Sequence, residues 1–106
     1  MNSQELNEAV ARKMGQPLAF DEMIGAHIAD GMGISLIPAY DRDIKAAWEI
    51  VEYLRERKYF VNLLMTPVLA RCEIHLSDTG SLALVDEAPD ALPRAICKAF
   101  LSLNRP

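Results

Sequence analysis

The stretch Phe60 to Val85, FVNLLMTPVLARCEIHLSDTGSLALV, decides how this chain folds. Its central run, Ala70 to Leu76, alternates without a break, with Ala70, Cys72, Ile74 and Leu76 on one side and Arg71, Glu73 and His75 on the other. Successive side chains of a strand point to opposite faces, so this run describes a strand with one buried and one wet face. Phe60 to Met65 comes before it, with Val61, Leu63 and Met65 sharing a face and Asn62 on the opposite one, and Thr66-Pro67 makes the break. Ser77, Asp78, Thr79 and Gly80 have turn chemistry and lead into Ser81 to Val85, which points Leu82 and Leu84 the same way. The spacing predicts a three-stranded antiparallel meander.

Helices are expected on either side of it. Ile44, Ala47, Trp48, Val51 and Leu54 recur at helical spacing, with Asp41 as N-cap, Asp43 at the positive end and Arg55, Arg57 and Lys58 at the negative end. A last helix from about Ala91 to Leu103 carries the stripe Leu92, Ala95, Ile96, Ala99, Phe100 and Leu103, with Asp90 as its cap and Pro93 tolerated in the first turn. The opening helix runs from about Gln4 to Met14, capped by Asn2 or Ser3 and stopped by Gly15 to Pro17. Between Leu18 and Tyr40 the pattern is mixed. Phe20, Met23, Ile24 and Ile28 suit a helical stripe, Gly25 and Gly31 weaken any helix, and Ile34 to Ile37 suits a short strand or a segment packed over the core. A short helix or loop is expected there. The fold class is therefore α+β: a three-stranded antiparallel sheet packed with two to three helices, sandwich-like, in the order helix, helix or loop, helix, three strands, helix. One domain over residues 1–106 is expected from the length.

Composition narrows the function classes. A chain with 51% hydrophobic and 25% charged residues has ordinary globular chemistry and needs neither metal nor disulfide to fold. The net charge of -4 repels phosphate and anionic lipid, which disfavours generic nucleic-acid binding. Two cysteines, Cys72 and Cys97, are too few for a secreted disulfide framework, and Met1 to Val10 carries Glu5 and Glu8 where an export signal would be basic and then apolar. A reduced, cytoplasmic setting is expected. The charge-poor stretch Ile24 to Tyr40 is interrupted by Asp30, Gly31, Gly33 and Pro38, so no membrane-spanning helix is expected.

Two stretches carry a family likeness: Ile37-Pro38-Ala39-Tyr40-Asp41-Arg42-Asp43-Ile44 through Ala46-Ala47-Trp48-Glu49-Ile50-Val51, and Ala91-Leu92-Pro93-Arg94-Ala95-Ile96-Cys97-Lys98-Ala99. Together with the opening Glu5 to Gly15 they resemble the phage ABA sandwich domain family. The resemblance implies a small α/β protein of phages, prophages and bacterial genomes, and brings no established activity with it. Between Thr66 and Leu76 the chain departs from the family, with aliphatic residues where members often have an aromatic-rich strand pair.

Few residues stand in patterns that carry chemistry. His27 has Asp21, Glu22 and Asp30 close in sequence, and a carboxylate that orients an imidazole makes a proton-transfer pair, so His27 with Asp21 or Asp30 is the catalytic candidate of a small hydrolase-like enzyme. Cys72 and His75 have a metal-like spacing, but residues three apart on a strand face opposite ways, and no metal or cofactor is expected. Cys97 reads as a small buried hydrophobe. Gly25, Gly31 and Gly33 match neither a dinucleotide fingerprint nor a phosphate loop. Asp86, Glu87 and Asp90 form an acidic group that reads as complementing the amide end of the last helix. Arg55, Arg57 and Lys58 are the candidates for weak contact with a nucleic-acid backbone. Against these stands the reading that the sequence favours: a non-catalytic accessory or interaction protein, of phage or prophage type, that contacts another protein through its exposed sheet face or the segment Leu18 to Tyr40. Self-association through free strand edges is a further expectation.

Overall fold

The computed structural model describes residues 1–76 and 80–103, in the order α1 (Ser3–Lys13), β1 (Leu18–Asp21), β2 (Gly25–Ala29), β3 (Ile34–Ser35), α2 (Ile44–Glu56), β4 (Tyr59–Met65), β5 (Ala70–Leu76), β6 (Ser81–Glu87) and α3 (Leu92–Leu101). The α+β reading holds, and there are two three-stranded antiparallel sheets, β1-β2-β3 and β4-β5-β6. The larger one is the expected meander. Phe60 pairs with His75, Asn62 with Glu73 and Leu64 with Arg71 on one side of β5, and Cys72 with Val85 and Ile74 with Ala83 on the other. The turn read into Ser77, Asp78 and Thr79 lies outside the described residues.

The inner face of this sheet carries buried Ala70, Cys72, Ile74 and Ala83, with Val61, Leu63 and Val85 partly buried beside them. Leu82 and Leu84 do share an exposure, but they are exposed to solvent. The register is the reason: Ile74 faces Ala83 and His75 faces Ser81, so Leu82 is an extra residue in β6 and the core positions fall to Ala83 and Val85.

α3 lies against β5 and β6 and α2 against β4, while α1 packs on α3. The α3 stripe is buried as read, through Leu92, Ala95, Ile96, Ala99 and Phe100, and the Phe100 ring meets Tyr53 edge-on at 5.6 Å. Ala91, with no side-chain hydrogen bond, holds the N-cap position expected for Asp90, because the helix begins one residue later than its polar signal. The stripe of α2 is rotated from the one read in the sequence. Ala46, Ala47, Ile50, Val51 and Leu54 are buried, whereas Ile44 and Trp48 are 47% and 46% exposed. Small alanines at the contact let α2 lie close to α3 and leave the wider Ile44 and Trp48 at its margin.

Asp43, not Asp41, caps α2, its carboxylate accepting from the Lys45 amide at 2.9 Å. Asp41 is occupied elsewhere. Its carboxylate accepts from Ser3 Oγ at 2.6 Å and Asn7 Nδ2 at 3.0 Å, and its own amide donates to Asn7 Oδ1 at 3.1 Å. Burial opposes the charge, but the Ser3 and Asn7 hydrogen bonds, with Arg42 beside it, hold this carboxyl below the usual aspartate range. The far end of α1 is tied by Lys13, whose Nζ donates to the Phe100 and Leu103 carbonyls at 2.7 and 2.6 Å. A cation on carbonyls at the end of α3 and just beyond it satisfies acceptors that the helix leaves open.

Residues Leu18 to Ser35 form strands and no helix, contrary to the helical stripe read there. Gly25 and Gly31 take φ of 74° and 83°, conformations that end a helix and close tight turns. Asp21 Oδ1 accepts from the Met23 amide at 2.7 Å and Asp30 Oδ1 from the Met32 amide at 2.9 Å, which fixes both hairpin corners. Ile34–Ser35 is the short strand expected there.

Two measurements check this packing. In chemical denaturation Phe100→Ala is expected to lose roughly 3–5 kcal/mol and Trp48→Ala roughly 1–2 kcal/mol, since only the first opens a cavity in the core. Because the folded pKa of Asp41 is depressed, its contribution is fully present above the unfolded value near ~4 and is lost as pH falls through the folded value. Stability measured from neutral to acid pH is expected to fall less steeply below about pH 4 for Asp41→Asn than for the parent chain.

Candidate functional site

The sequence candidates come to rest in different places. His27 lies in the middle of β2, opposite Ala19, and is 5% exposed; its Nδ1 sits 3.0 Å from the Gly25 carbonyl. Asp21 and Asp30 are at opposite ends of β2, each holding the turn amides described above. Among the described residues no hydrogen bond or ion pair joins His27 to either carboxylate. A proton-transfer pair needs contact and access to substrate, and this geometry provides neither.

Arg55, Arg57 and Lys58 do share one end of α2. Arg55 pairs with Glu52 at 2.8 Å, and the Arg57 guanidinium lies 3.4 Å over the Tyr53 ring while donating to the Tyr53 carbonyl. Lys58 takes φ of 70°, filling the left-handed position that closes the helix. Two of the three cations are thus engaged within their own helix.

Cys72 and Cys97 are fully buried, and burial pushes both thiols up to about 12, with the Asp41 charge adding to the effect at Cys97. A thiol held protonated is a poor nucleophile. His75, across the strand from Cys72, stacks on Phe60 on the outer face at 5.3 Å. The acidic group is divided. Asp86 forms a two-point pair with Arg71 at 2.6 and 3.1 Å, and Glu87 meets Lys98 at 3.1 Å and Arg94 at 3.5 Å. Among the described residues no group of three or more His, Cys, Asp or Glu is placed to hold a metal ion, and no helix is long and apolar enough to cross a membrane.

A different feature emerges in the segment that the sequence left open. The β1–β3 sheet is an arm that buries Ile28, packs Leu18 on the core and turns the rest of its large apolar residues outward. Phe20 is 77% exposed, Met23 93%, Met32 94%, Ile34 65% and Leu36 76%. Scattered surface hydrophobes are ordinary, but so many nearly bare ones on one short element are a mark of an interaction surface. The signal was present as apolar residues set among glycines and acids, and helical spacing disguised it. Between the arm and α1 runs a groove of about 500 Å³, with Ile24, Ala26, Leu36 and Ile37 on the arm side and Gln4, Asn7 and Glu8 on the helix side.

The profile of the Phage ABA sandwich domain family matches residues 8–101 of the chain. The chain is also similar to a phage protein from Bacillus cereus ATCC 14579, known from a 2.0 Å crystal structure, with 25% sequence identity and a TM-score of 0.72 over 96% of this chain and 91% of that one. No curated protein matches it.

The burial of the thiols has a direct consequence. An aromatic disulfide reagent at pH 8 is expected to leave both cysteines of the native chain unmodified over hours and to titrate both within minutes once the chain is unfolded in guanidinium. Rapid labelling of either thiol in the native protein would contradict the burial described here.

Proposed function

The chain belongs to the Phage ABA sandwich domain family, and from that premise we propose that it is a non-catalytic accessory protein that works by binding another protein through its β1–β3 arm. One observation carries the reading: Phe20, Met23, Met32, Ile34 and Leu36 are each at least 65% exposed on a single small element. Ordering apolar side chains against water brings no folding benefit, so their concentration on the arm is explained by what covers them in a complex. A partner that buried these five would recover hydrophobic free energy at roughly 25 cal/mol per Å².

The competing readings have weaker support. A hydrolase-like site would need an open His27 in reach of Asp21 or Asp30, and the ring is buried against a backbone carbonyl. Binding of a nucleic-acid backbone would need Arg55, Arg57 and Lys58 free together, and Glu52 and Tyr53 occupy the two arginines.

The test is a paired affinity purification from the native host, with the tagged parent chain and the variant Phe20→Ser/Met23→Ser/Met32→Ser run side by side. These side chains are bare, so the variant is expected to keep its melting temperature within a few degrees. Proteins recovered with the parent and lost with the variant are expected. Identical sets from both, or no protein from either, would remove the basis for the reading.

A further inference from the structure

We propose that the β1–β3 arm, with the groove that it forms against α1, takes a basic, amphipathic segment of the partner protein; this rests on the arm being a protein-binding element. The argument starts from charge. From Gly15 to Asp41 the chain has no Lys or Arg, while Asp21, Glu22 and Asp30 lie within that span. Asp21 and Glu22 stand in the turn beside Ile24, which lines the groove, and Asp30 stands at the far corner of the arm, while within the groove Glu8 and Arg42, the latter 3.4 Å from Asp41, offset each other. The surface therefore combines bare apolar side chains with negative charge that no cation of the arm offsets.

That combination selects its occupant. Asp21 and Asp30 each use one oxygen, Oδ1, on turn amides. A neutral apolar partner would strip water from these carboxylates without replacing it, which is costly, whereas Lys or Arg beside an apolar stripe meets both needs. A second copy of this chain would bring an equally acidic arm and be repelled, and so would nucleic acid or an anionic membrane. Met23 and Met32, both almost wholly exposed, suit the same role, because the unbranched thioether adapts to differently shaped apolar surfaces. The groove, at about 500 Å³, falls in the usual range of roughly 300–1,000 Å³ for binding clefts. Ile24 and Leu36 give it an apolar wall that is 47% and 76% exposed.

The probe is a pair of synthetic helix-forming peptides with one apolar pattern, Lys at every polar position in the first and Glu in the second, titrated against the full chain by fluorescence anisotropy. The Lys peptide is expected to bind at least about tenfold more tightly than the Glu peptide, and to weaken with added salt. Ile24→Ser/Leu36→Ser is expected to weaken it about tenfold, while Leu84→Ser, on the outer face of the larger sheet, leaves it unchanged. Asp21→Asn/Glu22→Gln/Asp30→Asn keeps the turn hydrogen bonds and is expected to abolish the preference for Lys. Circular dichroism on every variant separates loss of binding from loss of fold. Equal binding of both peptides that is lost in Ile24→Ser/Leu36→Ser would overturn the charge selection and leave the arm as a docking element. Binding indifferent to the arm substitutions, or no binding of either peptide, would overturn the arm as the site. Binding to anionic lipid vesicles in preference to the Lys peptide would do the same.

Discussion

Burial of the α3 stripe is the interaction on which the rest of this structure depends. Ile96, Cys97, Ala99 and Phe100 have essentially no exposure, and the helix that carries them touches β5, β6, α2 and α1. α2 adds to this support, lying against β4 and donating from the Tyr53 hydroxyl to the Lys13 carbonyl at 3.4 Å. Removing this stripe would leave the inner face of the meander uncovered and α1 without a surface to lie on. The small residues Ala95, Cys97 and Ala99 let the neighbouring elements approach closely, and Phe100 fills the remaining space against Tyr53. The helix thus serves as both floor and spacer.

Two polar ties then position α1 on this core, one at each end. Asp41 collects Ser3 and Asn7 at the start of the helix, and Lys13, at its end, reaches carbonyls at the end of α3 and just beyond it. Both ties are partly or wholly buried, where a hydrogen bond to a charged group is worth more than at the surface and an unmatched partner is costly. They bear on the candidate site because α1 forms one wall of the groove. Fixing α1 sets where Gln4, Asn7 and Glu8 stand on their wall of the groove, so a core packing decision becomes part of the shape of a surface.

The parts that could be read in advance were those in which a local repeat meets a single environment. Ala70 to Leu76 alternates because one sheet face is wet, and α3 shows its stripe because β5, β6, α2 and α1 pack against it. Reading failed where two periods fit the same letters. Phe20, Met23, Ile24 and Ile28 recur at helical intervals, yet glycines with positive φ and two aspartate-capped corners fold them into strands. Alternation set Leu82 and Leu84 on one side of their strand, and it took the register of β6, with its extra residue, to show that this side is the wet one. Trp48 was misplaced by a rotation of α2, which spacing alone does not reveal.

By itself, the sequence determined an α+β fold with a meander, two to three helices and a likeness to one phage family, since patterns of period two and 3.6 are local and set by nearby residues. Tertiary structure alone decided which apolar residues would remain in water. Phe20, Met23, Met32 and Leu36 have the same chemistry as residues of the core, and only the packing of α1, α2 and α3 shows that none of the described elements covers them. Exposure belongs to the assembled fold, because it depends on what every other element has already occupied.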